Sequence, residues 1–241
     1  MLISSVFRAT VSKDISINGS NEDHYCLRLR GPSPRAAVFD GATESFAARK
    51  WARILSGEWG KDSSRDWNWV ATAQMQYGKY VKGLNLSWAQ EAASQRGSFS
   101  TFAFFEVHDD WIQFSTVGDS HLFFLSHSKI QNSFPFEDES EFNSVPGALS
   151  SNSLDLRRNI ENILNGMSQI KFNSKKFSHI VLATDAVAAW LLSSNFDLRD
   201  QRAEKLLNCQ DGDNFRKLII EERSAGLMKI DDSTVVVLGV S

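Results

Sequence analysis

Cysteine is almost missing from this chain: Cys26 and Cys209 are the only two in 241 residues. They are isolated from one another and from any tight Cys/His group, which argues against a disulfide scaffold and a structural zinc site and favours an intracellular setting. A basic excess is missing as well. The 26 Lys and Arg stand against 29 Asp and Glu, a formal charge of −3, so nothing draws the chain as a whole to a polyanion and nucleic acid is not an expected partner. No apolar run reaches membrane-spanning length before Asp, Lys or Arg interrupts it, and the first twenty residues lack a basic stretch followed by an apolar core. A soluble, cytoplasmic protein without membrane association is therefore expected. Internal repeats and extended low-complexity tracts are absent too.

What is present is enough for one sizeable core. Hydrophobic residues make up 42% of the chain, and nothing in the composition forces a boundary, so a single domain over residues 1–241 is expected. The large core pieces are Trp and Phe. Trp51, Trp67, Trp69, Trp88, Trp111 and Trp190 read as packing anchors, because they are not interleaved with basic residues as base-stacking platforms are. His24, His108, His121, His127 and His179 form no ligand motif and read as surface or locally hydrogen-bonded residues.

Periodicity and turn chemistry divide the chain. Val6–Val11 and His24–Leu29 read as adjacent antiparallel strands around a turn-rich segment, and Ala36–Phe39 as a short buried strand closed by Asp40-Gly41. Phe46, Ala47, Trp51, Ile54 and Leu55 share a helical face, with Arg49, Lys50 and Arg53 left in water. A second helical region runs from Trp67 to Trp88 with an interruption at Gly83, and the two are expected to cover one side of a sheet. Strands follow over Phe99–Val107, Trp111–Val117 and His121–Leu125, with hairpin turns expected at His108-Asp109-Asp110 and Gly118-Asp119-Ser120. Gln131–Ser153 reads as a long surface loop that can shape substrate access. Helices are expected over Leu156–Ile170, Ala186–Leu192 and Phe215–Arg223, and strands over Phe177–Leu182 and Val235–Val240.

Four acidic signatures lie beside these strands: Asn21-Glu22-Asp23, Phe39-Asp40-Gly41, Thr184-Asp185 and Asp231-Asp232-Ser233-Thr234. If strand pairing gathers them, several carboxylates meet in one cleft. A hard divalent cation holds such like charges together at least cost, which points to a metal enzyme.

In order and placement these signatures, together with Gly118-Asp119-Ser120, resemble the metal-dependent protein serine/threonine phosphatases of type 2C. The resemblance spans nearly the whole chain. It implies an α+β fold, a four-layer αββα sandwich with two central, mainly antiparallel sheets flanked by helices. It implies that Asp40, Asp185 and Asp231 face the metals, that the Gly41 carbonyl is a further oxygen ligand, and that Glu22 holds a water on a metal. Asp119 would share an additional ion with Asp185. Asp23 would orient the ligands, Asp232 would support its loop, and Thr234 is read as structural. The cofactor would be Mg²⁺ or Mn²⁺, two ions with a possible third, activating water without a protein nucleophile.

The implied activity is hydrolysis of phosphoserine and phosphothreonine in proteins, with a phosphoprotein substrate, a possible regulatory protein as partner, and a place in signalling. Departures from the family pattern matter here. Ala42-Thr43 stands where a second glycine pair is usual, Ala186 follows Asp185, and Asn18 occupies the position of a phosphate-binding Arg. Asn lacks the bidentate cationic grip of Arg; Arg8, Arg28 and Arg35 are the candidates to compensate. The alternatives are a catalytically weak or inactive phosphatase-like binding module and a small-molecule phosphomonoesterase.

Overall fold

Strands that read as continuous apolar runs bury both faces, and this chain uses them at the centre of a layered structure. The computed structural model describes residues 3–17, 19–61, 67–143, 147–171 and 177–241. One sheet has the order β1 (Ile3–Val11), β11 (Ser233–Val240), β10 (His179–Ala183), β6 (His121–Ser126), β7 (Lys129–Phe134). The other runs β2 (His24–Arg28), β3 (Arg35–Gly41), β4 (Phe99–Val107), β5 (Trp111–Val117), β9 (Met167–Lys171), with the short β8 (Leu149–Ser150) also paired to β4. Every pairing is antiparallel.

The period of two along each strand sends alternate side chains into different layers. Val38, Ala103, Phe105, Ile180, Leu182 and Val236 fill the space between the sheets. Their neighbours point outward. Ala37, Phe39, Phe102 and Phe104 pack beneath α1 (Ala48–Lys61) and α2 (Asn68–Lys82). Val181, Ala183, Val235 and Val237 pack beneath α5 (Asp185–Leu191), α6 (Phe196–Leu207) and α7 (Gly212–Ser224). The result is the αββα sandwich, each fully buried Phe or Leu contributing about 1.5–3 kcal/mol. Two helices complete the second sheet's side: α4 (Leu156–Asn165), and α3 (Trp88–Arg96), which buries none of its residues.

Several local expectations are corrected. β1 and β2 do not pair: β1 joins β11, and β2 joins β3 in the other sheet. Residues 12–23 carry the chain from one sheet to the other, and the C-terminal strand supplies the partner that nearness in sequence seemed to offer. Gly118-Asp119-Ser120 is likewise a corner between sheets rather than a hairpin, since β5 and β6 belong to different sheets. Gly118 has φ 82°, and a Cβ there would collide with the Gly147 carbonyl oxygen and Thr101. His108-Asp109-Asp110 does close the β4–β5 hairpin.

The helix expected to reach Ile170 stops at Asn165. Gly166 caps it, lying so close to the Thr116 carbonyl oxygen that a side chain has no room, and Met167–Lys171 then pairs with β5. Gln131–Ser153 is not one loop: it contains most of β7, a 3₁₀ turn at Glu139–Asn143 and β8, while residues 144–146 lie outside the described residues. α6 escapes sequence reading because its buried face is Arg202, Ala203 and Leu206, too polar for an apolar stripe. Trp88 is 83% exposed, so it anchors no core, whereas Trp51, Trp69 and Trp190 are buried.

His121 locks the sheet-to-sheet corner. Fully buried, it donates from Nδ1 to the Asp119 carbonyl at 2.8 Å and accepts from the Phe136 N–H at Nε2 over 3.3 Å. Both nitrogens are thus committed to the neutral ring, and burial pushes its pKa down to about 4 from an ordinary 6.5.

Phe102 stacks on Phe39 at 4.8 Å and on Phe104 at 5.3 Å. Phe102→Ala is expected to lower the unfolding free energy by about 3–5 kcal/mol in urea titrations; a loss within experimental error would contradict this packing. A group whose folded pKa lies below its unfolded value contributes stability above the unfolded pKa and loses it as pH falls through the folded one. The neutral His121 ring therefore contributes up to roughly 3 kcal/mol above pH 6.5, lost towards pH 4. The stability gap between the wild type and His121→Gln should narrow from pH 7.5 to pH 4.5, and a gap independent of pH would refute the assignment.

Candidate functional site

The acidic signatures all emerge at one end of the sandwich. β3 directs Phe39 to the outer core, so Asp40 falls on the inter-sheet side at the strand's end, followed by Gly41. β10 ends at Ala183, and Thr184 stands at the N-cap position of α5 without a side-chain capping bond, with Asp185 in the helix's first turn. Asp231 and Asp232 immediately precede β11, Glu22 and Asp23 precede β2, and Asp119 sits at the β5–β6 corner.

Threonine contacts set the register of this end. The Thr184 N–H donates to the Thr234 carbonyl at 3.0 Å, and the Thr234 N–H returns to Thr184 Oγ1 at 2.9 Å. The Thr10 and Thr234 hydroxyls are 2.7 Å apart, as are those of Thr101 and Ser120.

Crowding and burial perturb the carboxylates strongly. Asp23 is buried; Thr184 Oγ1 donates to its Oδ2 at 2.9 Å, while Oδ1 is buried without a hydrogen-bond partner. Burial, helped by the charges of Asp232 and Asp185, pushes Asp23 up to about 8. Burial also raises Asp40 well above the ordinary carboxylate range, and the charges of Asp23, Asp185, Asp119 and Asp231 push the same way. Asp119 is pushed up to about 6 by burial and then by Asp185. Gly41 closes against the Glu22 carbonyl oxygen, which would stand 2.9 Å from a Cβ added there.

Cations that sequence reading did not single out complete the site. Lys229 places its Nζ 2.9 Å from Asp185 Oδ2 and 2.7 Å from Asp231 Oδ2. Burial pulls this ammonium's pKa down, but the two carboxylates outweigh it and leave the group raised. Lys13 Nζ lies 2.8 Å from Glu22 Oε2 and 2.9 Å from Thr43 Oγ1. Arg223 donates to the Ser12 carbonyl at 2.9 Å and to the Asp231 carbonyl, pinning the loop before β11. The one available signal was position, since Lys229 stands two residues before Asp231 in a turn.

Asp232 is stitched into the backbone: it accepts from the Lys13 N–H at 2.7 Å and from the Glu22 N–H at 2.6 Å, joining three segments. The arginines considered as substitutes for a phosphate grip lie elsewhere. Arg28 Nε donates to the Gly60 carbonyl, Arg35 packs over Trp59, and Arg8 lies over Tyr25. Arg35 begins β3 and Asp40 nears its end, about 17 Å apart along an extended strand. Asn18 lies outside the described residues.

The donor chemistry fits a hard divalent cation: the groups are oxygen ligands, negative charge is in excess, and Asp23 Oδ1 is an orphaned buried atom. Among the described residues, however, no three His, Cys, Asp or Glu side chains stand as a ready-made metal cage. An ammonium group takes the position between Asp185 and Asp231.

No protein-family model matches the chain, and no curated protein matches it by sequence. Solved structures match along its full length. A bacterial serine phosphatase superposes with a TM-score of 0.63 at 13% identity, covering 100% of this chain and 99% of its own. The serine/threonine phosphatase PstP/Ppp of Mycobacterium tuberculosis gives 0.60 at 13%, covering 100% of both chains. PppA, a regulatory component of T6SS in Pseudomonas aeruginosa, gives 0.60 at 15%, covering 100% of this chain and 99% of its own. At such identities the likeness establishes the fold: this chain has the sandwich of these phosphatases.

Proposed function

We propose that this chain is a metal-dependent protein phosphatase that hydrolyses phosphoserine and phosphothreonine, acting in the cytoplasm as one domain over residues 1–241. The observation that carries the reading is the placement of Glu22, Asp40, Asp119, Asp185 and Asp231, from both sheets, at one end of the sandwich, where the charges of Asp119, Asp185 and Asp231 act on Asp40. The likeness to solved serine/threonine phosphatases supports it.

In this reading Asp40, Asp185, Asp231 and the Gly41 carbonyl hold Mg²⁺ or Mn²⁺, with Glu22 beside them and Asp119 available for a further ion. Ions held there would supply charge neutralisation of the phosphoryl group and a lowered pKa for attacking water. Asp23, hydrogen-bonded to Thr184, holds the β10 end in place. Asp232, fixed by two backbone N–H groups, keeps Glu22 at the mouth. Lys13 is the cation beside Glu22 at that mouth.

A second reading has its own observation. Lys13 pairs with Glu22 and Lys229 bridges Asp185 and Asp231, so the proposed ligands already have ammonium partners, which favours a phosphatase-like binding module without turnover.

Phosphate release from a serine/threonine phosphopeptide pool decides between them. With Mn²⁺ or Mg²⁺ the wild type is expected to release phosphate, while EDTA or Asp40→Asn lowers the rate by about a hundredfold or more. Folded, metal-supplied protein that releases none would favour the binding module.

A further inference from the structure

We infer that Lys229 is a tethered counter-cation that competes with the divalent metal, so that metal binding at this site requires the lysine to be expelled. The inference rests on the metal reading of the site and concerns how this chain controls that site.

The geometry is specific. Lys229 Nζ bridges Asp185 Oδ2 at 2.9 Å and Asp231 Oδ2 at 2.7 Å, joining the start of α5 to the turn before β11. Those carboxylates come from different segments and are mostly buried, with side-chain exposures of 16% and 27%. Each has one oxygen on the ammonium, and its other oxygen accepts from the next residue's N–H, Ala186 for Asp185 and Asp232 for Asp231. With the lysine in place, the Oδ2 atoms of both carboxylates face the ammonium, so a cation seated between them would meet that positive charge.

The lysine can leave. Its side chain is 60% exposed, so the ammonium can swing into water while the adjacent Met228, 6% exposed, stays packed in the core and keeps the turn in place. A flexible four-carbon stem suits such a role better than a rigid guanidinium. A divalent ion would offer twice the charge of the ammonium to the same carboxylates. The apparent metal affinity is then reduced by the fraction of molecules in which the lysine holds the site.

Mn²⁺ binding by calorimetry to the wild type, Lys229→Met and Lys229→Arg tests this. Lys229→Met is expected to bind Mn²⁺ about tenfold more tightly than the wild type, with Lys229→Arg remaining weak, as removal of a competing closed state demands. Equal affinities in all three overturn the inference while leaving the metal reading intact. Absence of Mn²⁺ binding in all three, together with absence of phosphate release, overturns both. Should Lys229→Met fail to fold, acetylation of wild-type lysines read by mass spectrometry replaces it. Lys229 should be modified several-fold faster with saturating Mn²⁺ than in EDTA, and an unchanged rate overturns the inference.

Discussion

Like-charge repulsion at one end of a sandwich is the constraint to which the rest of this structure answers. Two sheets pack about 10 Å apart, and their strand ends bring Asp23, Asp40, Asp119, Asp185 and Asp231 within electrostatic reach of one another. Such a group folds only if its charge is reduced. The protein does so in three ways: by pushing the Asp23 pKa up to about 8, by ammonium pairs from Lys229 and Lys13, and by backbone N–H donors to Asp232.

The core supplies the rigidity this crowding requires. β3, β4, β10 and β11 are covered on both faces, so their ends are held by packing on either side. The threonine ladder through Thr10, Thr184 and Thr234 then fixes the strand ends relative to one another, and Arg223 ties down the loop before β11. Carboxylates mounted on such strand ends keep their separation; on mobile loops they would drift apart and lose their coupling.

The acidic signatures were legible because each joins an apolar run to a turn, a pattern that local chemistry imposes. Asp40-Gly41 follows a buried strand, and Asp185 opens a helix, whatever the partner strand is. The cations were not legible. Lys13 and Lys229 look like ordinary surface lysines until the chain folds, and a lysine's reach of several ångströms leaves its partner undetermined by position. For the same reason Arg8, Arg28 and Arg35 seemed as eligible to stand near the carboxylates, yet the register of β2 with β3 sends two of them to the opposite end. α6 and β9 were lost differently: one has a polar buried face, and the other becomes a strand only through its pairing with β5.

By itself the sequence determined most strand and helix cores and the identity of the acidic groups, because hydrophobic period and turn chemistry act over a few residues; the layered α+β class followed only from the resemblance that the order of those groups carries. Tertiary structure alone decided that β1 pairs with β11, that Gly118-Asp119-Ser120 crosses between sheets, and which cations face which carboxylates. Those outcomes depend on contacts between segments more than two hundred residues apart. Pairing over that distance is set by packing and charge balance in the whole fold, and no local pattern encodes it.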